Sequence, residues 1–296
     1  AGLEYIRTEK FPKLFEDLGE NLGYANFSAR YGNVYTARQL KQLYERSLDL
    51  FKPQEDRWVE DKSFIDPFRP GLKFPASSSL EFDLITDSHL RATRKAFEMA
   101  DVFVFTLGLT EGWISKKDGS TYPACPGTIA GEFDESKYKF INFTVSDVVH
   151  DLSSFIEALT SNNRKVKFII TVSPVPLVAT ATNGHVLNAT TYSKSVLRVA
   201  AEEVTNNFSN VSYFPAYEII TGPQAPEHFF EPDRRNVSAE GVDLVMTTLL
   251  KSSGLIAADD FKNAINRKSE SKSSIIENVS REISLAECDE VMLDRN

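Results

Sequence analysis

Hydrophobic and polar positions alternate along the middle of this chain in blocks of two different periods. Val102-Phe103-Val104-Phe105-Thr106-Leu107 is an unbroken apolar, β-branched and aromatic run, the pattern of a strand buried on both faces. A loop rich in Gly and Pro is predicted from Gly108 to Gly131. Beyond it, Val148, Val149, Leu152, Phe155, Ile156 and Leu159 share one face of a helix. Val166 to Val172 reads as a second buried strand that stops at Ser173-Pro174-Val175-Pro176. Val196, Leu197, Ala200 and Val204 mark the next helix, Val211 to Phe214 a third strand, and a last helix is predicted from about Ser238. Strands alternating with helices in this way predict an α/β fold, a three-layer α/β/α sandwich around a mostly parallel sheet with right-handed crossovers.

The flanks are less regular. Thr36-Ala37-Arg38-Gln39 has the form of a capping box, opening a helix that buries Leu40, Leu43, Tyr44 and Leu48. Residues 52–85, punctuated by prolines, read as an irregular excursion, and a helix is predicted from about Asp87 to Ala100. Three strands make a thin sheet, and Leu3-Glu4-Tyr5-Ile6 reads as a helix or its exit. Because a parallel α/β fold carries a strand before its first helix, the pattern predicts a leading strand absent from this chain. One domain is expected over 1–266. Lys268-Ser269-Glu270-Ser271-Lys272-Ser273-Ser274 is linker-like, and a helical tail bearing Ile275, Ile276, Val279, Ile283 and Leu285 is expected to 296.

Composition narrows the function classes. The formal charge of −9 comes without a basic stripe, which argues against a nucleic-acid partner. No apolar run reaches the roughly 20 residues of a membrane span, and Ala1-Gly2-Leu3-Glu4 lacks the basic start and apolar stretch of a signal peptide. Cys125 and Cys288 are the two cysteines and form no disulfide framework, so a cytoplasmic protein without a membrane partner is expected. The four histidines, His89, His150, His185 and His228, show no metal-ligand spacing, and neither metal nor cofactor is expected. The sequence sets no oligomeric state.

In open parallel sheets ligands bind at the carboxyl ends of the strands, which directs attention to three loops. In the first, Gly108 allows a sharp turn and close backbone approach, with Thr110, Glu111 and Trp113 beyond it. The second is Ser173-Pro174-Val175-Pro176, and the third runs from Ala216 to Asn236. Cys125, between Ala124 and Pro126, is a candidate thiol nucleophile or a structural loop thiol. Ser193-Lys194-Ser195 is open to a Ser–Lys dyad or to a surface lysine near a helix start.

Several blocks in order carry a resemblance. Asn26-Phe27-Ser28-Ala29-Arg30-Tyr31-Gly32-Asn33, Asp66-Pro67-Phe68-Arg69-Pro70 and Thr106-Leu107-Gly108-Leu109-Thr110-Glu111-Gly112-Trp113 resemble the GSCFA family. So do Tyr122-Pro123-Ala124-Cys125-Pro126-Gly127, Ser173-Pro174-Val175-Pro176, Tyr192 to Arg198 and Cys288 to Leu293. The family is similar to SGNH hydrolases, so the resemblance implies an SGNH-like, flavodoxin-like sheet. It also implies an acyl hydrolase or acyltransferase, acting on a small-molecule acyl or glycan substrate. Such enzymes use a serine on the first strand's turn, backbone and Asn donors for the oxyanion, and a late Asp-x-x-His. The eponymous Gly-Ser-Cys-Phe-Ala stretch does not occur here, which implies that the nucleophile-bearing segment is absent from this chain.

The resemblance places the remaining blocks at Gly108, Thr110 and Glu111, and at Asp233-Arg234-Arg235-Asn236. Glu111 stands near the place of an oxyanion-donating Asn, and an ionised carboxylate only accepts; the Gly108 N–H is the remaining candidate donor. Asn236 stands where the His base is expected and cannot titrate; Asp233 and Asn236 could equally cap the following helix. His228, in the same loop, and His185 are candidate substitutes for the base. With Asn33, Trp113 and Ser173 as candidate substrate-binding residues, the alternative is a ligand- or partner-binding module that keeps the fold without the chemistry.

Overall fold

Thr36 starts the first helix as its capping box predicts: its hydroxyl accepts from Gln39 N at 3.2 Å, and Gln39 Oε1 accepts from Thr36 N at 2.9 Å. Orphan N–H groups are thereby satisfied, and α1 (Ala37–Ser47) buries Leu40, Leu43 and Tyr44. The computed structural model describes residues 4–11, 22–24 and 26–253. The linker and helical tail expected from 267 onward lie outside these residues.

After α1 come a two-stranded hairpin, β1 (Trp58–Glu60) with β2 (Ser63–Ile65), and the long helix α2 (Ser79–Met99). Three parallel strands follow in the order β3 (Val102–Leu107), β7 (Lys167–Val172), β8 (Val211–Tyr213). They are linked through α3 (Val145–Asn162) and α4 (Val186–Asn207). The register runs Val102↔Lys167 to Leu107↔Val172 and Phe168↔Val211 to Ile170↔Tyr213. This is the α/β fold that the alternating periods predict, a parallel sheet flanked by helices. The short helix α5 (Ala216–Thr221) and the helix α6 (Ala239–Ser252) close the described chain. No helix among the described residues is long and apolar enough to cross a membrane.

Burial against the helices organises one face of the sheet. Phe103, Phe105 and Leu107 of β3 and Phe168, Ile170 and Val172 of β7 pack with Leu40 and Tyr44 of α1, Leu152, Phe155 and Ile156 of α3, and Leu197 and Val204 of α4. Phe155 meets Tyr44 edge to face at 5.5 Å and Phe168 at 6.0 Å, geometries that add to area burial. The opposite face corrects an expectation. Val102 and Val104 are 46% and 50% exposed, so β3 is buried on one face only, and no described element covers it there.

Other boundaries shift for local reasons. The helix expected from Asp87 begins at Ser79, because Ser78 caps it by accepting from Glu81 N at 3.2 Å. The excursion at 52–85 therefore contains the β1–β2 hairpin, turned by Asp61 and Lys62 at φ 46° and 68°, and the first turns of α2. Residues 108–131 are not simply a loop: β4 (Glu111–Ser115) pairs antiparallel with β5 (Thr121–Tyr122) and with β6 (Tyr138–Asn142). Strands this short show no readable period.

Residues 4–8 are not helical. They form a strap held by Thr8, which donates through Oγ1 to Ala92 O at 2.6 Å, and by Glu9, which accepts from Arg30 N at 2.7 Å and from the ring of the buried His89 at 2.7 Å. Burial first, then the positive charge of Arg69, pushes His89 down to about 4, although Glu9 opposes both. Burial alone would raise Glu9, but the bond and charge of His89 and the Arg30 N–H outweigh it and hold this carboxyl below its usual value.

A depressed histidine favours the unfolded chain once protons bind. The stability it confers is complete above the ordinary pKa of 6.5 and is lost as pH falls towards about 4. That interval corresponds to about 3 kcal/mol. Thermal melts across this range should show the wild type losing stability steeply and His89→Gln losing it less steeply; parallel curves would contradict the assignment.

Candidate functional site

The turn after β3 is where the parallel sheet meets α1, α4 and the antiparallel sheet. Gly108 N and Leu109 N both donate to Tyr35 O, at 2.9 and 3.3 Å. A Cβ on Gly108 would lie 3.2 Å from the Tyr35 carbonyl oxygen and ring, so the glycine is required by close approach. Lys194 Nζ donates to Gly108 O at 2.6 Å, and Ser193 Oγ accepts from Thr110 N at 3.0 Å. Thr110 Oγ1 donates to Asn142 Oδ1 at 2.6 Å, while Thr110 O accepts from Phe143 N at 2.8 Å. Thr110 and Ser193 are wholly buried and Lys194 is 2% exposed.

Two further candidates join this cluster. Ser173, the first residue past β7, donates its N–H to Leu107 O at 2.9 Å, and its hydroxyl accepts from Val175 N at 3.2 Å. Asn33 Nδ2 donates to the Tyr35 hydroxyl at 3.0 Å. The structure thus gathers Gly108, Thr110 and Ser173 around the ends of β3 and β7, with Asn33 at the hydroxyl end of Tyr35. The Gly108 N–H, expected as an oxyanion donor, is engaged by Tyr35, a correction that follows from the need to satisfy a buried backbone group.

The titratable candidates sit in three separate groups of contacts. Glu111 accepts from Thr180 Oγ1 at 2.6 Å and from Ala181 N at 3.1 Å, anchoring the loop after β7. His228 lies in a 3-10 turn, 61% exposed at its side chain, with Nε2 3.4 Å from Glu240 Oε1. Asp233 accepts from Arg235 N at 2.9 Å and Asn236 N at 3.0 Å, and its other oxygen from Asn236 Nδ2 at 2.7 Å. The Arg235 N–H, which outweighs the opposing effect of burial, together with the two Asn236 donors holds the Asp233 carboxyl below its usual value. No hydrogen bond or ion pair among the described residues joins Glu111, His228 and Asp233 to one another.

Several alternatives resolve in the same terms. Asp233 and Asn236 close a turn on each other, whereas Ser238 caps α6 by accepting from Gly241 N at 3.3 Å. His185 caps α4, its Nδ1 accepting from Leu187 N at 3.2 Å. Burial pushes the Cys125 thiol up, away from the thiolate a nucleophile needs. Trp113 pairs with Tyr122 and Phe140 across the antiparallel sheet and packs on Phe133 at 5.2 Å.

Lys194 is neither at a helix start nor on the surface. Helix α4 begins at Val186, and Ala189, Ser193, Val196, Leu197, Ala200 and Val204 form its buried stripe. Extending the helical period back from Val196 would have placed Ser193 on that stripe. Tyr35 and Asn142 gave no such signal, since both act through contacts distant in sequence.

Replacing Lys194 by Met would leave the Gly108 carbonyl without its charged donor. Urea unfolding should show a loss of about 2 kcal/mol, and a change within a few tenths would mean that the contact is incidental.

The GSCFA family model matches residues 9–249. Neither the curated proteins nor the solved structures give a match to the chain.

Proposed function

This chain belongs to the GSCFA family, and from that premise we propose that it holds a small acylated ligand, such as an acylated sugar or glycan, at the carboxyl end of its parallel sheet without turning it over. One observation carries the proposal. Where SGNH hydrolases place a histidine after a late aspartate, Asn236 donates its amide to Asp233 at 2.7 Å. An amide takes up no proton near neutral pH and so cannot act as a base, and the aspartate beside it is engaged in closing its own turn. Two features agree: the Gly108 N–H is engaged by Tyr35, and Glu111 and His228 each serve other partners. The reading involves no cofactor, nucleic acid or membrane, and places the protein in the cytoplasm.

Esterase or acyltransferase activity is the second reading, favoured by His228 Nε2 lying 3.4 Å from Glu240 Oε1. That pair is a base with an orienting carboxylate in the strand-end loop. Acyl transfer there would proceed by His228 taking the proton of an attacking hydroxyl, whose oxygen bonds the acyl carbon, and returning that proton to the ester's alkoxide oxygen as its bond to the acyl carbon breaks and the alcohol leaves.

Calorimetric titration with O-acetylated oligosaccharides, beside hydrolysis of short acyl esters, separates the two. Saturable heat with ester cleavage no faster than in buffer is expected. Cleavage that disappears in His228→Ala would overturn the binding reading in favour of the hydrolase, and the absence of saturable heat would overturn it outright.

A further inference from the structure

Between α1 and the Asp66–Arg69 turn the fold buries several charged side chains. Arg30, Arg46 and Arg69 are 8%, 6% and 4% exposed. The buried carboxylates that face them are Asp66 and Glu9. Asp66 accepts from Arg69 Nε at 2.7 Å, and Glu9 accepts from Arg30 N and the His89 ring. His89 is itself neutral near pH 7, its pKa being held at about 4. The guanidinium groups of Arg46 and Arg69 face these carboxylates, while that of Arg30 lies over the Tyr24 ring at 4.1 Å.

Among the described residues, Arg46 and Arg69, and no carboxylate, contribute to the wall of a small cavity. Asn33, Gln39, Gln42, Arg46, Arg69 and His89 line it, and its volume is about 20 Å³. A single water needs roughly 10–15 Å³ on this measure, so the space takes one guest of water or halide size and not a phosphate. Arg69 donates through Nε to Asp66 and through Nη1 to Arg30 O, while its Nη2 is buried and without a partner. Arg46 lies over the Phe68 ring at 3.8 Å. Asp56, the other carboxylate whose charge reaches Arg46, is 44% exposed and held by Arg57 at 2.8 Å.

Guanidinium groups remain charged in proteins, and a buried charge without a counterion is costly. A water molecule in the cavity would accept hydrogen bonds but place no negative charge beside the two guanidinium groups on its wall. A monoatomic anion satisfies both requirements. We propose that this cavity is a binding site for one halide ion, chloride in the cell, held by Arg46 and the Nη2 of Arg69. The direction of the Arg46 pKa agrees: burial pulls it below the usual arginine value, Asp66 opposes that in part, and Arg69 adds to it.

Held between α1 and the Asp66–Arg69 turn, the ion would be a structural anion close to Asn33 and Tyr35. This does not depend on the ligand-binding reading above, since the cavity is lined by residues outside that mechanism except Asn33.

The test is thermal unfolding in sodium chloride, sodium bromide and sodium gluconate at equal ionic strength. Chloride and bromide should raise the midpoint saturably, by about 3 °C relative to gluconate, and Arg46→Gln should abolish the difference. Because that variant could fail to fold, crystals of the wild-type protein grown in bromide give a second measure. An anomalous bromine peak within contact distance of Arg46 and Arg69 is expected. Identical midpoints in the three salts, or a cavity that holds water alone in bromide, would overturn the proposal.

Discussion

The three amides of residues 108–110 and the carbonyls of Gly108 and Thr110 are satisfied from within the protein, and that constraint shapes everything around the strand ends. Tyr35 O receives the Gly108 and Leu109 amides, Ser193 Oγ receives the Thr110 amide, Lys194 supplies Gly108 O and Phe143 N supplies Thr110 O. These partners come from three parts of the chain: the lead into α1, the middle of α4, and the end of β6. Buried polar groups without partners would each cost on the order of 1–3 kcal/mol. The parallel sheet, the antiparallel sheet and two helices are consequently fixed to one another at this point. A rigid turn of this kind suits a surface that receives a ligand unchanged better than one whose amides must be open to a developing negative charge.

The same economy of partners separates the titratable residues. Each carboxylate or imidazole at the strand ends is engaged locally. Glu111 secures the loop at Thr180, Asp233 closes the turn to Asn236, and His228 lies beside Glu240. Farther inside, the balance of charge is set by the strap over α2, where Glu9 and His89 meet Arg30 and Arg69. That interior carries charge and polarity that a hydrophobic core does not need. Its consequences are measurable as sensitivity to acid and to anions.

Much of this architecture is legible in residue order where the pattern is long. Six-residue β-branched runs at 102–107 and 167–172, and the helical stripe of Val148, Leu152, Phe155 and Leu159, each repeat their signal often enough to be read. The capping box at Thr36 and Gln39 is legible because its chemistry is local. The antiparallel strands β4 to β6 are not, since segments of two to five residues carry too few alternations. The exposure of Val102 and Val104 is invisible for a different reason. An apolar side chain reads identically whether or not another element covers it, so periodicity reports what a strand could bury rather than what packs on it. Partner choice is least legible of all. Nothing in the local sequence says that Tyr35 takes the Gly108 amide, or that Asn236 turns towards Asp233, although the family's blocks had marked both neighbourhoods.

The most direct measurement of the central claim is amide hydrogen exchange at Gly108, Leu109 and Thr110, followed residue by residue by NMR. If this backbone is closed on itself, the three amides should exchange only in openings nearly as rare as global unfolding, as core amides do. Exchange at the rate of an exposed loop would show amides free to bind an oxyanion and would contradict the account.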